Sequence, residues 1–128
     1  MPKQDIKSGN APGAIGPYSQ AIKTGNFLFL SGQIPIDPAT GELVPGGVDA
    51  QTRQALCNIK TLLKEAGLGP QNVVKATVYL KDLSTFGVMN GVYGGFFAPP
   101  YPARSTVEVK GLPKGALVEI DVIAVFGE

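Results

Sequence analysis

A chain of 128 residues, 44% apolar and 16% charged, has the length of one domain, residues 1–128, and enough apolar surface to bury roughly two thirds of what its unfolded form exposes. Eleven Lys and Arg against ten Asp and Glu leave a formal charge of +1, no surplus for neutralising a run of phosphates, so nucleic acid is not an expected partner. With no histidine and one cysteine, Cys57, Ser-His-Asp and Cys-His nucleophile systems, an internal disulfide and a Cys/His zinc site are excluded.

A lone thiol fits a reducing cytosol. The longest apolar run, Val122 to Phe126, has five residues, far short of the roughly 20 that span a bilayer, and no signal-peptide stretch opens the chain. The expected setting is soluble and cytoplasmic.

In chain order, Lys3 to Ser8 alternates weakly and Gly9 to Gly16 is a loop. Tyr18 to Lys23, a turn at Gly25-Asn26 and Phe27 to Ile34 predict a hairpin, whose second strand is apolar on both faces and so expected to be covered on both. Pro35, Pro38, Gly41, Pro45 and Gly46-Gly47 mark a surface loop. Ala55, Leu56, Ile59, Leu62, Leu63 and Ala66 then recur at helical spacing, with Gly67 as the C-terminal cap and Cys57 one step off the stripe, read as a small core residue. Val73 to Leu80 alternates as a strand. Ser84 is the expected N-cap of a second helix, with apolar positions Phe86, Met89, Tyr93, Phe96 and Phe97 and a stop at Pro99-Pro100. Ala103 to Val109 and Ala116 to Phe126 complete the set as two strands.

This order predicts an α+β fold, a sheet with two helices on one face. In the last strand Val118, Ile120, Val122, Ala124 and Phe126 make an apolar row assigned to the helices. Leu117, Glu119, Asp121, Ile123 and Val125 make a mixed row, read either as a subunit interface carrying a polar site or as a partly wetted sheet surface.

Few residues offer chemistry. Arg104 opens a strand after Pro102-Ala103, where its planar fork could take a carboxylate or join a surface ion pair. Glu119 lies mid-strand between apolar neighbours, either as a buried salt-bridge partner or as an acid or base with raised pKa. Tyr18 offers a ring wall and a hydroxyl, or is simply half-buried; Asn90 sits on the glycine-rich helix, as a site residue or as an exposed position. Gly9, Gly13 and Gly16 lack dinucleotide-fingerprint spacing, and no phosphate loop is present.

The run Pro102-Ala103-Arg104-Ser105-Thr106-Val107-Glu108-Val109, with Leu112-Pro113 and Val118-Glu119-Ile120, closely resembles the signature of the YjgF/Rid family of reactive intermediate deaminases. Gly16-Pro17-Tyr18-Ser19-Gln20-Ala21, Leu30-Ser31-Gly32-Gln33-Ile34-Pro35 and the Asn90 to Phe97 segment extend the likeness over essentially the whole chain. The resemblance implies a chorismate-mutase-like homotrimer with clefts between subunits. It further implies cofactor-free, metal-free hydrolysis of 2-iminobutanoate and 2-iminopropanoate, released by pyridoxal-phosphate enzymes, to 2-oxo acids and ammonia. On that pattern Arg104 holds the substrate carboxylate and Glu119 deprotonates the attacking water. Backbone groups near Thr106 help hold both, and Tyr18, Ser31, Gly32, Asn90 and Ser105 complete the substrate pocket, partly from the adjoining chain. Relatives often carry cysteine where this chain has Thr106. Two other readings attach to such relatives: a non-catalytic trimer that binds small carboxylates, and an endoribonuclease or translation inhibitor, the latter disfavoured by the charge balance and the missing histidine.

Overall fold

The structure, a computed structural model, describes residues 2–127. Six strands form one mixed sheet: β1 (Gln4–Ile6), β2 (Ala21–Thr24), β3 (Phe27–Leu30), β4 (Val73–Leu80), β5 (Ala103–Glu108) and β6 (Val118–Val125). Their spatial order is β1-β2-β3-β6-β4-β5, every neighbouring pair antiparallel except β4 and β5. A parallel pair needs a crossover, and α2 (Phe86–Phe96) supplies it; α1 (Val48–Glu65) joins β3 to β4. Strand β6 fills the gap between those two strands, which makes it the centre of the sheet.

Alternation sorts the side chains into two faces. Val118, Ile120, Val122 and Ala124 of β6, Ala76, Val78 and Leu80 of β4 and Leu28 and Leu30 of β3 are buried and meet the helices. The α1 stripe of Ala55, Leu56, Ile59, Leu62 and Leu63 is fully buried against them, each large side chain contributing about 1.5–3 kcal/mol. The helix ends as expected: Gly67 turns left-handed at φ 82°, its N–H donates to Lys64 O, and the Leu68 N–H donates to Leu63 O, closing a Schellman motif.

Several boundaries differ from the sequence reading. Helix α1 begins at Val48, two turns before the apolar stripe, because its first buried positions include the polar Gln51 and Thr52. Cys57 is exposed, so it is a surface residue and not part of the core. Ser84 lies in a short 3-10 turn (Leu83–Thr85), and the side chain that caps the segment belongs to Asp82, whose carboxylate accepts from the Ser84 N–H at 2.9 Å. Strand β3 stops at Leu30, four residues before the predicted end. Its outer face is not covered within the chain either, Phe27 being 48% and Phe29 42% exposed. Ile123 and Val125, paired opposite them, lie on the same open face.

Candidate functional site

Strand β3 ends early because the register slips. Phe29 pairs with Ile123, yet Gln33 bridges Ile120, so four steps along one strand meet three along the other. The extra residue makes a bulge at Ser31-Gly32, a device that re-aims side chains beside sites. Gly32 is essential to the space it opens: a Cβ there would collide with the carboxyl group of Glu119, lying only 2.8 Å from its Cδ. The carboxylate therefore folds over bare backbone, at the wall of a cleft of about 320 Å³ lined by Pro12, Ile15, Tyr18, Gly32, Ile34, Ile36, Pro113 and Lys114, among others.

The loops around this cleft are held by buried side-chain amides. Gln20 accepts from the Ser8 N–H at 2.8 Å and donates to the Ser8 and Pro12 carbonyls. Asn58, on α1 and 1% exposed, donates to the carbonyls of Ile34 and Ile36. Gln51 accepts from the Leu117 N–H at 2.8 Å, and Gln33 donates to Ser31 O. Each of these buried polar groups is satisfied, and cutting one strands its partner at about 1–3 kcal/mol. Nothing in the hydrophobic pattern marks them, since buried amides read as surface residues.

Glu119 is half-buried and has no ion-pair partner; the one salt bridge among the described residues joins Lys7 and Asp5. Burial pushes its pKa up, and the negative charge of Asp121 on the same face adds to the rise. Tyr79, paired across from Glu119 on β4, donates its hydroxyl to Asp121 at 3.0 Å. Burial first, and the Asp121 carboxylate second, push that phenol upward as well. Tyr18 is 52% exposed and its hydroxyl accepts from the Ile15 N–H at 3.2 Å. The hydroxyl of Ser31 is committed to the carbonyl of Ser19.

Arg104 stands elsewhere. Its pairing partner on β4 is Ala76, which faces the helices, whereas Glu119 pairs with the outward Tyr79. Within one chain the guanidinium and the carboxylate lie on opposite faces of the sheet and do not meet. Arg104 lines a separate hollow at the β5 edge with Asn90, Tyr93, Gly94, Tyr101 and Pro102. Thr106 is on its face and half-buried, while Ser105 points to the open side and is exposed. No ion pair engages Arg104 among the described residues; instead its guanidinium stacks 4.6 Å from the centre of the Tyr93 ring and 5.4 Å from that of Phe86. Of the expected site residues, Tyr18, Gly32 and Glu119 line the cleft and Asn90 and Arg104 the edge hollow, whereas Ser31 and Thr106 line neither and Ser105 faces away from Arg104. No group of His, Cys, Asp or Glu able to hold a metal occurs among the described residues, and no helix there is long and apolar enough to cross a membrane.

A mixed sheet with both helices on one face is an α+β arrangement that solved structures share closely. A Rid-family protein of Yersinia pestis superposes with a TM-score of 0.95 at 49% identity, covering 98% of this chain and all of that one. TdcF of Escherichia coli, solved with bound serine, gives 0.91 at 43% identity over 97% and 99% of the two chains. Residues 8–126 match the family described as Endoribonuclease L-PSP, and the chain belongs to that family, the YjgF/Rid proteins. Among relatives in sequence, the 2-iminobutanoate/2-iminopropanoate deaminase of Bos taurus is 51% identical over 122 residues, 95% of this chain and 89% of that protein. A RutC family protein of Pyrococcus horikoshii is 57% identical over 122 residues, 95% and 97% of the two.

Proposed function

We propose that this protein hydrolyses 2-imino acids such as 2-iminobutanoate and 2-iminopropanoate, in a site that two subunits of a homotrimer build together. The observation that carries the reading is a carboxyl group with raised pKa, unpaired, at the wall of an apolar cleft. Such a group can take a proton from water near neutral pH. The names of the cattle and goat relatives, both 51% identical, support the same chemistry.

In this reading Arg104 of one subunit grips the substrate carboxylate with its fork and Glu119 of the next holds the water. The water oxygen bonds to the imine carbon while Glu119 takes one water proton and delivers it to nitrogen. Glu119 then takes the carbinolamine's hydroxyl proton and passes it to the amino nitrogen as the C–N bond breaks, leaving a 2-oxo acid and ammonia. An imine carbon is already electrophilic, so positioning supplies much of the catalysis and no cofactor takes part. The open face of Phe27, Phe29, Ile123 and Val125 gives the subunits an apolar surface on which to meet. Tyr18, Ser31, Gly32, Asn90, Ser105 and Thr106 would line the composite pocket.

Added to a threonine dehydratase reaction, the protein is expected to accelerate 2-oxobutanoate release, and Arg104→Ala and Glu119→Gln should each lose that effect. Dissociated, mixed in equal amounts, reassembled and assayed with substrate well below KM, the two impaired variants should recover about a quarter of the wild-type rate, the chance that an intact Arg104 faces an intact Glu119 across a random interface. Absence of acceleration by the wild type would defeat the hydrolase reading and leave small-carboxylate binding. Absence of recovery on mixing would defeat the shared site.

A further inference from the structure

We propose that Tyr93 and Phe86 of α2 are positioning residues whose rings stack on the Arg104 guanidinium and hold its plane, leaving N–H groups free for a ligand. The inference rests on Arg104 as the carboxylate holder and names what gives that group its aim. An arginine on an edge strand ordinarily samples many rotamers, and a two-toothed grip on a carboxylate needs the plane of the fork fixed in advance.

Here the plane is covered by aromatic rings at 4.6 and 5.4 Å. The N–H groups of Arg104 meet no carboxylate among the described residues. The Tyr93 ring is itself immobilised, being 4% exposed. It packs 4.8 Å from the ring of Phe97, which Phe96 meets edge-on at 4.8 Å and 88°. Its hydroxyl is buried with no hydrogen-bond partner, so packing alone, and not a polar tether, sets the ring's position. The residue paired with Arg104 across the sheet is the small Ala76, which leaves room above it for the rings.

The test is calorimetric binding of 2-oxobutanoate and of its uncharged amide, 2-oxobutanamide, together with steady-state kinetics. Phe86 is 39% exposed, so Phe86→Leu should fold normally. Phe86→Leu and Tyr93→Leu are expected to weaken 2-oxobutanoate binding about five- to tenfold, the scale of a partly desolvated cation–π contact, and to raise KM by the same factor with kcat held. Affinity for the amide should stay unchanged, and Tyr93→Phe should recover most of what Tyr93→Leu loses. A general loosening of α2 would instead weaken both ligands and lower kcat, which would overturn the positioning role. So would unchanged 2-oxobutanoate binding in Phe86→Leu while Arg104→Ala loses it. If Arg104→Ala itself binds 2-oxobutanoate like the wild type, the assignment of Arg104 fails and the positioning role fails with it.

Discussion

The cleft beside Glu119 and the hollow beside Arg104 are built by opposite means. The first is made of irregular backbone: a bulge at Ser31-Gly32, a loop from Gly9 to Gly16 and the Pro113–Gly115 turn, where Lys114 takes a left-handed φ of 59°, all tied down by buried amides. The second is regular, an edge strand and a helix with one cation laid on two rings. The first sets a proton affinity through burial and a neighbouring charge; the second sets a direction through stacking. In the proposed function a site assembled from one of each, across two subunits, would place acid–base chemistry and substrate grip under separate control.

That division predicts a division in the kinetics. Glu119→Gln should lower kcat about a hundredfold or more, the usual worth of a positioned general base, with KM little changed. Arg104→Ala should act chiefly on KM, by about a hundredfold for the loss of a charge-assisted, two-toothed contact. Steady-state kinetics on a purified imine-generating couple separates the two, and equal effects of both variants on kcat alone would erase the distinction. Gly32→Ala comes next: its backbone is not left-handed, so the fold should persist, but the new methyl would displace the Glu119 carboxyl and cost about tenfold in kcat.

The same carboxyl gives a stability signature. Because its folded pKa lies above the unfolded value, folding is favoured by protonation, and that contribution is fully present below the unfolded pKa and lost as pH rises through the folded one. Glu119→Gln should therefore melt higher than the wild type at pH 7, with the gap closing as pH falls below the ordinary glutamate range. The catalytic rate of the wild type should drop over the span just above that range, where the base becomes protonated. The smallest effect expected on activity is that of Asn58→Ala, which frees the Ile34 and Ile36 carbonyls. It should cost about 1–3 kcal/mol in denaturant unfolding and change turnover by no more than a fewfold.

Much of this architecture was legible from residue pattern. The alternation from Val118 to Phe126 and the stripe from Ala55 to Ala66 identified the row of β6 and the side of α1 that meet, and the mixed row of Leu117, Glu119 and Asp121 marked the face left open. The first turns of α1 were hidden because Gln51 and Thr52 are polar and buried, contrary to what hydropathy reports. The placement of Arg104 opposite to Glu119 depends on which residue of β4 each one pairs with. Register between strands distant in sequence is written in no local signal. The cleft depends on Gly32, which residue pattern alone shows as one glycine among 17 and only the family resemblance singled out.

The bulge makes the cleft a matter of parity. A chain shorter by one residue at position 31 or 32 could run β3 straight on through Gln33 in unbroken step with β6, healing the ladder and closing the gap into which the carboxyl folds. Length variation across the Asp37 to Gly47 turn carries no such penalty, because nothing there must stay in phase with the sheet. Between these two neighbouring stretches, natural insertions and deletions should be plentiful in the second and purged from the first.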